Sequence, residues 1–542
     1  MAANTTSPKL IVDQTSSLAD ERIHICAQCL QPFQCYTLLL SIIDEKSTLF
    51  KSLAFYLADA DGKIDLARDA AIESPSGSYR GVFSEGLFST LKPLIPYERL
   101  VRRDVTHPLR FVLSLWNGST ASTISDQYLR QFTSVVTSQH LIDTSLDFVT
   151  SLNVGLSESL NVGLSESLKP LAVQSIDRHF MKDGVRRVVV KEGKLRGTVF
   201  IPAGNGPFPG VLDISGAAGG LVEYRSALLA SRGILAMSLA YIRYDDLPKS
   251  MKHLEIEYLE EAAEWLFQHP KVNPVSGGVG LIGSSKGGEF GIAAACYSRR
   301  ITALCTVNGN IMSIGSRTTR QLSDVKYRTE YGMVTPSGVQ YPPAPLDVGK
   351  AVLYDDDAIN VRDSVAFPVV PELRNMYSKF RKPFIREGRQ IVSGDKDDFG
   401  TATQEEETNS GGFFKFGETD FETIKQSMYP IEQVHADWCL FIAGESDQNW
   451  HSPVYALEAV RRLEAVGKKH VRALIYPKTG HYIDPPCAPF EEASFHPLAQ
   501  SVVVWGGESF SHQAAQEDAW MQTQLFFKKA LTSPPDPLSS KL

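Results

Sequence analysis

The sequence predicts two folded parts: an all-β sandwich over residues 1–120 and an α/β domain with a mostly parallel sheet over residues 185–531. Three observations carry this reading. Residues 8–120 hold short apolar runs such as YTLLLSII and LRFVLSLW, separated by turn stretches such as DADGK and SPSGS, with no long 3.6-residue period. From about residue 185, strand-length apolar runs alternate with helix-period segments, which implies a parallel sheet covered on both faces. The length, 542 residues, is too great for one ordinary core.

The elements follow in order. The run Ile23–Ile43 lacks Asp, Glu, Lys and Arg, but Gln31 and Pro32 interrupt it, so it reads as two strands and a turn and not as a membrane span. Residues 121–184 are rich in Ser, Thr and Asn and read as a linker. They contain NVGLSESL twice, at Asn153–Leu160 and Asn161–Leu168; two copies are too few for a solenoid and suit a linker lengthened by duplication. GVLDIS (Gly210–Ser215) is a strand that runs into the loop GAAGG, and GILAMSLAY (Gly233–Tyr241) is a strand apolar enough to be buried on both faces. Ile256, Leu259, Ala263, Leu266 and Phe267 recur at helical spacing until Pro270. GVGLIG, ITALCTVNG, WCLFIAG and VRALIYP are further strands. Helices are expected over 286–298, over 453–464 and through QEDAWMQTQLFFKKAL; residues 532–542 read as an exposed tail.

Composition excludes several functions. Apolar residues make up 43% and charged residues 21%, ordinary for a soluble globular protein. The net charge of −8 gives no basic field for nucleic acid. The start, MAANTTSPKL, lacks a basic stretch followed by an apolar one, so no secretory signal is expected. Seven scattered cysteines suit a reducing compartment. Cys26 and Cys29 have CxxC spacing but no second pair, so strand and turn packing is expected and neither a metal nor a cofactor.

The chemistry centres on GLIGSSKGGEFG, Gly280–Gly291. Gly283, Ser285 and Gly287 fit G-x-S-x-G between a buried strand and a helix, the pattern of a nucleophile elbow. The sharp turn tolerates only small residues two before and two after the serine. Ser285 has glycine at both places; Ser284 has Ile282 two before it, so Ser285 is the candidate.

A serine hydroxyl needs a base, and the base needs a carboxylate to orient it. In strand–turn–helix hydrolases the order is Ser, acid, His, each after a strand. Asp447 follows WCLFIAG and His481 follows VRALIYP, which gives that order. Glu445, His451 and His470 are weaker competitors: a shorter carboxylate suits a tight loop, His451 opens a helix, and His470 precedes a strand. The oxyanion hole calls for two backbone N–H groups. Lys286, just after the nucleophile, offers one; Gly216 or Ala217 in the GAAGG loop offers the other.

Beyond these patterns, the chain resembles the acyl-CoA thioesterase and bile acid-CoA:amino acid N-acyltransferase family along nearly its whole length. The resemblance is carried by FYLADADGKIDLARDAA, RHFM, PFPGVLDI, GGLVEYRSALLASRG, AYIRYDDLPKSM, SSKGGE, GESDQNW, TGHYIDPP and VVWGGE…QEDAW. It implies an amino-terminal β-sandwich joined to a catalytic α/β-hydrolase domain, with nucleophile, acid and base on Ser285, Asp447 and His481. The family divides by nucleophile: thioesterases carry serine, and members that conjugate acyl groups to glycine or taurine carry cysteine. Ser285 therefore implies hydrolysis of acyl-CoA to free acid and CoA, since water cleaves the oxygen ester of an acyl-serine with help from a histidine base. The alternatives are an amino acid N-acyltransferase and a non-catalytic acyl-CoA-binding protein. Two departures from the family stand out: the long linker, and an acidic insertion near 390–412, SGDKDDFGTATQEEETNSGG, which reads as a solvated surface loop. The last residues, Ser540, Lys541 and Leu542, match the S-K-L peroxisomal address, read by an import receptor; a cytoplasmic location is the alternative.

Overall fold

Long apolar runs become central strands here, and the reason is visible in the first of the chain's two compact units. A computed structural model describes residues 7–118, 124–138, 169–249, 253–312, 317–320, 346–347, 428–450, 452–497 and 501–535. The first unit comprises Met1–Lys182 with Asp484–Glu491 and Glu508–Glu517; the second comprises Asp183–Ile483, Glu492–Gly507 and Asp518–Leu542.

In the first unit, strands β1 (Lys9–Val12), β3 (Ile25–Gln28) and β6 (Ile64–Asp65) form a small sheet. Strands β2 (Ser16–Leu18), β4 (Cys35–Ile43), β5 (Leu49–Leu57), β7 (Lys92–Pro93), β8 (Leu109–Asn117) and β9 (Ala172–His179) form a larger one, in the order β2-β9-β8-β4-β5-β7. Leu38, Leu40, Leu113 and Ile176 of the larger sheet pack with Ile25 and Ala27 of the smaller, which makes a β-sandwich. Alternate residues point to opposite faces of a strand, and both faces of β4 are covered. Leu39, Val112 and Trp116, on the far face, pack against Tyr128, Leu129 and Phe132 of helix α1 (Asp126–Ser138). That is why the apolar run of YTLLLSII spans both faces, broken only by Thr37 and Ser41.

Helix α1 and strand β9 fall inside residues 121–184, which the sequence reads as linker. The first unit therefore runs on to Lys182. Strand β9, AVQSIDRH, is mostly polar and lacks strict alternation, and only Val173, Ile176 and Arg178 are buried, so it resembles loop until its antiparallel pairing with β8 is known. The duplicated stretch 153–168, the acidic insertion near 390–412 and the terminal Ser-Lys-Leu lie outside the described residues.

The second unit is built on an eight-stranded sheet. Its strands are β10 (Arg186–Glu192), β11 (Leu195–Ile201), β12 (Gly210–Ile214), β13 (Leu235–Leu239), β14 (Val279–Ser284), β15 (Ile301–Val307), β16 (Trp438–Gly444) and β17 (His470–Tyr476), in the order β10-β11-β13-β12-β14-β15-β16-β17. β10 and β11 pair antiparallel; the pairings from β13 to β17 are all parallel. Helices α2 (Tyr224–Ser231), α3 (Ile256–Phe267), α4 (Lys286–Ala295) and α5 (Ser452–Ala465) pack on this sheet, and α6 (Ser509–Ala530) is the last helix described. Each strand from β12 to β17 agrees with an expected run to within two residues at either end. Parallel pairing sets their carboxyl ends along one edge, and the loops after β12, β14, β16 and β17 emerge there. Among the described residues, no helix is long and apolar enough to cross a membrane.

Candidate active site

The glycines around Ser285 are explained by space. Ser285 has φ 54° and ψ −124°, outside the regions L-residues ordinarily occupy. Its N–H donates to the carbonyl of Val307 at 2.9 Å, which helps hold the strained turn. A Cβ at Gly283 would lie 2.3 Å from the Gly287 carbonyl oxygen, and one at Gly287 would lie 2.3 Å from that of Ser215. Helix α4 thus starts with its backbone against the end of β12. The same packing brings the GAAGG loop to Ser285: a Cβ at Gly216 would sit 3.2 Å from the Ser285 Cβ. Among the described residues, the N–H groups of Gly216 and Ala217 donate no hydrogen bond within the protein. Tyr241 donates to the carbonyls of Ser215 and Gly216, at 3.1 Å each, and fixes the loop from behind.

Ser284 differs from its neighbour. Its hydroxyl oxygen accepts from the guanidinium of Arg225, which also holds the buried carboxylate of Asp213 in an ion pair. Ser284 is thereby committed to the scaffold.

Asp447 and His481 meet in a buried pocket, with the His481 Nδ1 2.7 Å from the Asp447 Oδ2. Asp447 also accepts from the N–H groups of Asn449 (2.8 Å) and Trp450 (3.1 Å) and from the Ser452 hydroxyl (2.5 Å), as a carboxylate in a tight post-strand turn should. Rings of Trp450, Tyr482 and Trp505 surround the imidazole, with Trp505 stacked at 5.4 Å between centroids. Among the described residues no hydrogen bond joins Ser285 Oγ to His481; the His481 Nε2 lies 3.3 Å from Asn449 Nδ2.

The competitors fall elsewhere. Glu445 is exposed and accepts from the Lys478 N–H at 3.2 Å. His470 stacks on Trp438 at 3.9 Å, and these two residues open β17 and β16, at the far end of the sheet. His451 lies outside the described residues.

Residues 254–364 and 401–533 match the family described as "BAAT / Acyl-CoA thioester hydrolase C terminal", and residues 20–142 match its N-terminal region. The mouse protein named acyl-coenzyme A thioesterase 3 is 33% identical over 540 residues, which cover 99% of this chain and 98% of that protein. Human acyl-coenzyme A thioesterase 1 is 33% identical over 523 residues, 96% of each chain. Rat acyl-coenzyme A thioesterase 2, mitochondrial, is 33% identical over 530 residues, 98% of this chain and 91% of that one. The chain belongs to the acyl-CoA thioester hydrolase/BAAT family.

In this member of the family, sequence patterns alone do not single out several residues that build the site. Asn308, with φ 49°, receives the Gly444 N–H at 2.8 Å and donates to the carbonyls of Gly480 (3.2 Å) and His481 (2.5 Å), so one amide ties β15, β16 and the histidine loop together. Lys286 turns its side chain into the core, where it pairs with the fully buried Glu289. Asn310 (2.9 Å) and Tyr429 (3.3 Å) also donate to Glu289. Burial pulls the Lys286 ammonium below its ordinary value, and Glu289 opposes that shift. The available signal was the asparagine-rich VNGN at the end of a strand, a poor place for Asn unless its side chain bonds the backbone.

Proposed function

We propose that the protein is an acyl-CoA thioesterase that hydrolyses fatty acyl-CoA to free fatty acid and CoA through an acyl-Ser285 intermediate. The buried Asp447–His481 pair, in the unit whose elbow presents Ser285, is the observation that supports it best. The Ser285 hydroxyl attacks the thioester carbonyl, and its proton passes to His481 Nε2. The oxyanion that forms is met by the N–H of Lys286 and by that of Gly216 or Ala217. The imidazolium returns the proton to the CoA sulfur as the C–S bond breaks. Water, activated by the same nitrogen, then hydrolyses the oxygen ester.

The decisive assay is CoA release from palmitoyl-CoA, read with a thiol reagent. Ser285→Ala should lower kcat by several orders of magnitude, because triad members act as a unit. Ser284→Ala should leave most activity. Equal loss from both overturns the elbow assignment. Glycine or taurine in excess, with mass-spectrometric detection of the N-acyl product, separates hydrolysis from the amino acid N-acyltransferase reading. A conjugate as the main product would make that second reading the better one.

The tripeptide Ser540-Lys541-Leu542 supports peroxisomal import of the folded enzyme. Deleting it from an amino-terminally tagged protein should move the tag from peroxisomes to cytosol with specific activity unchanged. A cytosolic full-length protein would overturn the assignment.

A further inference from the structure

The direction of each hydrogen bond at the Asp447–His481 pair can be assigned from donor and acceptor chemistry. Asp447 Oδ1 accepts from Asn449 N–H and Trp450 N–H, and Oδ2 accepts from the Ser452 hydroxyl. A carboxylate so supplied with donors is ionised and has no proton to give, so the hydrogen between it and His481 sits on Nδ1. In the neutral imidazole Nε2 is then the lone-pair nitrogen, as a general base requires. The Asn449 amide nitrogen, a donor only, lies 3.3 Å from it. That nitrogen has one lone pair and accepts one hydrogen bond, so Asn449 and Ser285 compete for it.

We propose that Asn449 is a positioning residue for the base: its amide holds His481 in the base tautomer between turnovers and yields Nε2 to Ser285 when substrate binds. The inference rests on the triad reading above. One residue grips both partners, its N–H on the acid and its side chain on the base, so the turn that places Asp447 also places the amide. After Nε2 takes the serine proton it can no longer accept from the amide. The Asn449 donor therefore disfavours the imidazolium in the resting enzyme and keeps Nε2 free of a proton there. Among the described residues, the rings packed on the imidazole are those of Trp450, Tyr482 and Trp505, and the side chains hydrogen-bonded to it are Asp447 and Asn449.

The test is the pH dependence of kcat/KM for CoA release in wild type, Asn449→Ala and Asn449→Asp, with the thermal midpoint as a control for folding. Asn449→Ala should lose activity at neutral pH only as far as its acid limb moves, since a bond released before the transition state does not itself lower the barrier. Its acid limb should move to higher pH, because a donor to the neutral ring is gone. Asn449→Asp sets a carboxylate at Nε2 and should move that limb further, by about one pH unit or more. A purely structural role lowers the rate by one factor at every pH, so unmoved limbs in folded variants overturn the proposal. Should both variants fail to fold, 15N-histidine NMR of the wild-type enzyme decides, using the resonances absent from His481→Gln. Hydrogen on Nδ1 and none on Nε2 supports it; the opposite tautomer overturns it. Wild-type rates in Ser285→Ala would overturn the triad reading and this inference with it. Loss of activity there, with unmoved limbs in both Asn449 variants, overturns this inference alone.

Discussion

Gly287 shows how a single atom matters at this site. A methyl group there would lie 2.3 Å from the Ser215 carbonyl oxygen and 2.7 Å from that of Ile214, both backbone atoms that rotamer changes do not relieve. The start of α4 would have to move away from β12, carrying the Ser285 hydroxyl and the Lys286 N–H with it. Gly287→Ala should therefore lower kcat by about a hundredfold, the penalty for misplacing reacting groups by roughly 1 Å. Measured kcat within threefold of wild type would mean that the elbow is less tightly packed than its geometry requires. Ser285 and the glycines around it are legible in sequence because the turn excludes side chains at fixed offsets. Asn308 and Asn449 are not, since an asparagine at a strand end looks the same whether it bonds a distant loop or water.

At the scale of one element, helix α4 begins just after Ser285 and carries a buried ion pair one turn in. Lys286 and Glu289 are both fully buried, and Asn310 and Tyr429 complete the shell of Glu289. Removing one partner strands the other's charge in the core. Lys286→Met should cost about 3–5 kcal/mol, while Lys286→Met with Glu289→Gln should cost less than the single change, because no charge is left unpaired. Urea denaturation of the second unit, followed by Trp438 and Trp450 fluorescence against a first-unit probe, gives the comparison. A double variant less stable than Lys286→Met would show that the pair does more than cancel its own burial.

For the whole molecule, the first unit brings a pH dependence of stability. Glu85 is buried, its Oε1 has no partner among the described residues, and burial pushes its carboxyl up to about 7. Burial also pushes Glu491 up to about 7. The unfolded chain ionises such groups near 4.5, so between about pH 4.5 and pH 7 the folded state binds more protons than the unfolded. Stability is then greatest below that window and is lost as pH rises through 7. Glu85→Gln, which keeps the shape and cannot ionise, should be more stable than wild type at pH 8.5 by about 1–3 kcal/mol, with little difference at pH 4. Thermal midpoints across this range, with parallel curves for the two proteins, would refute the assignment.

What the sequence determined by itself was whatever local chemistry enforces. Strands β12 to β16 are mostly buried and mostly apolar, and β17 at the sheet edge keeps an apolar run, so β12 to β17 were visible in order. The turn at Ser285 needed glycine on both sides, and Asp447 and His481 were expected in loops after later strands. The tertiary structure alone decided what depends on a distant partner. Strand β9 is mostly polar and becomes a strand only by pairing with β8, so the first unit reached past the apparent linker. Asp447 and His481 are joined, Ser284 is taken by Arg225, and Asn449 lies beside His481 because sheet order folds separate loops onto one edge. A hydrogen bond across the sheet leaves almost no trace in the residues beside either end of it, whereas a packing constraint within a few residues is written into them.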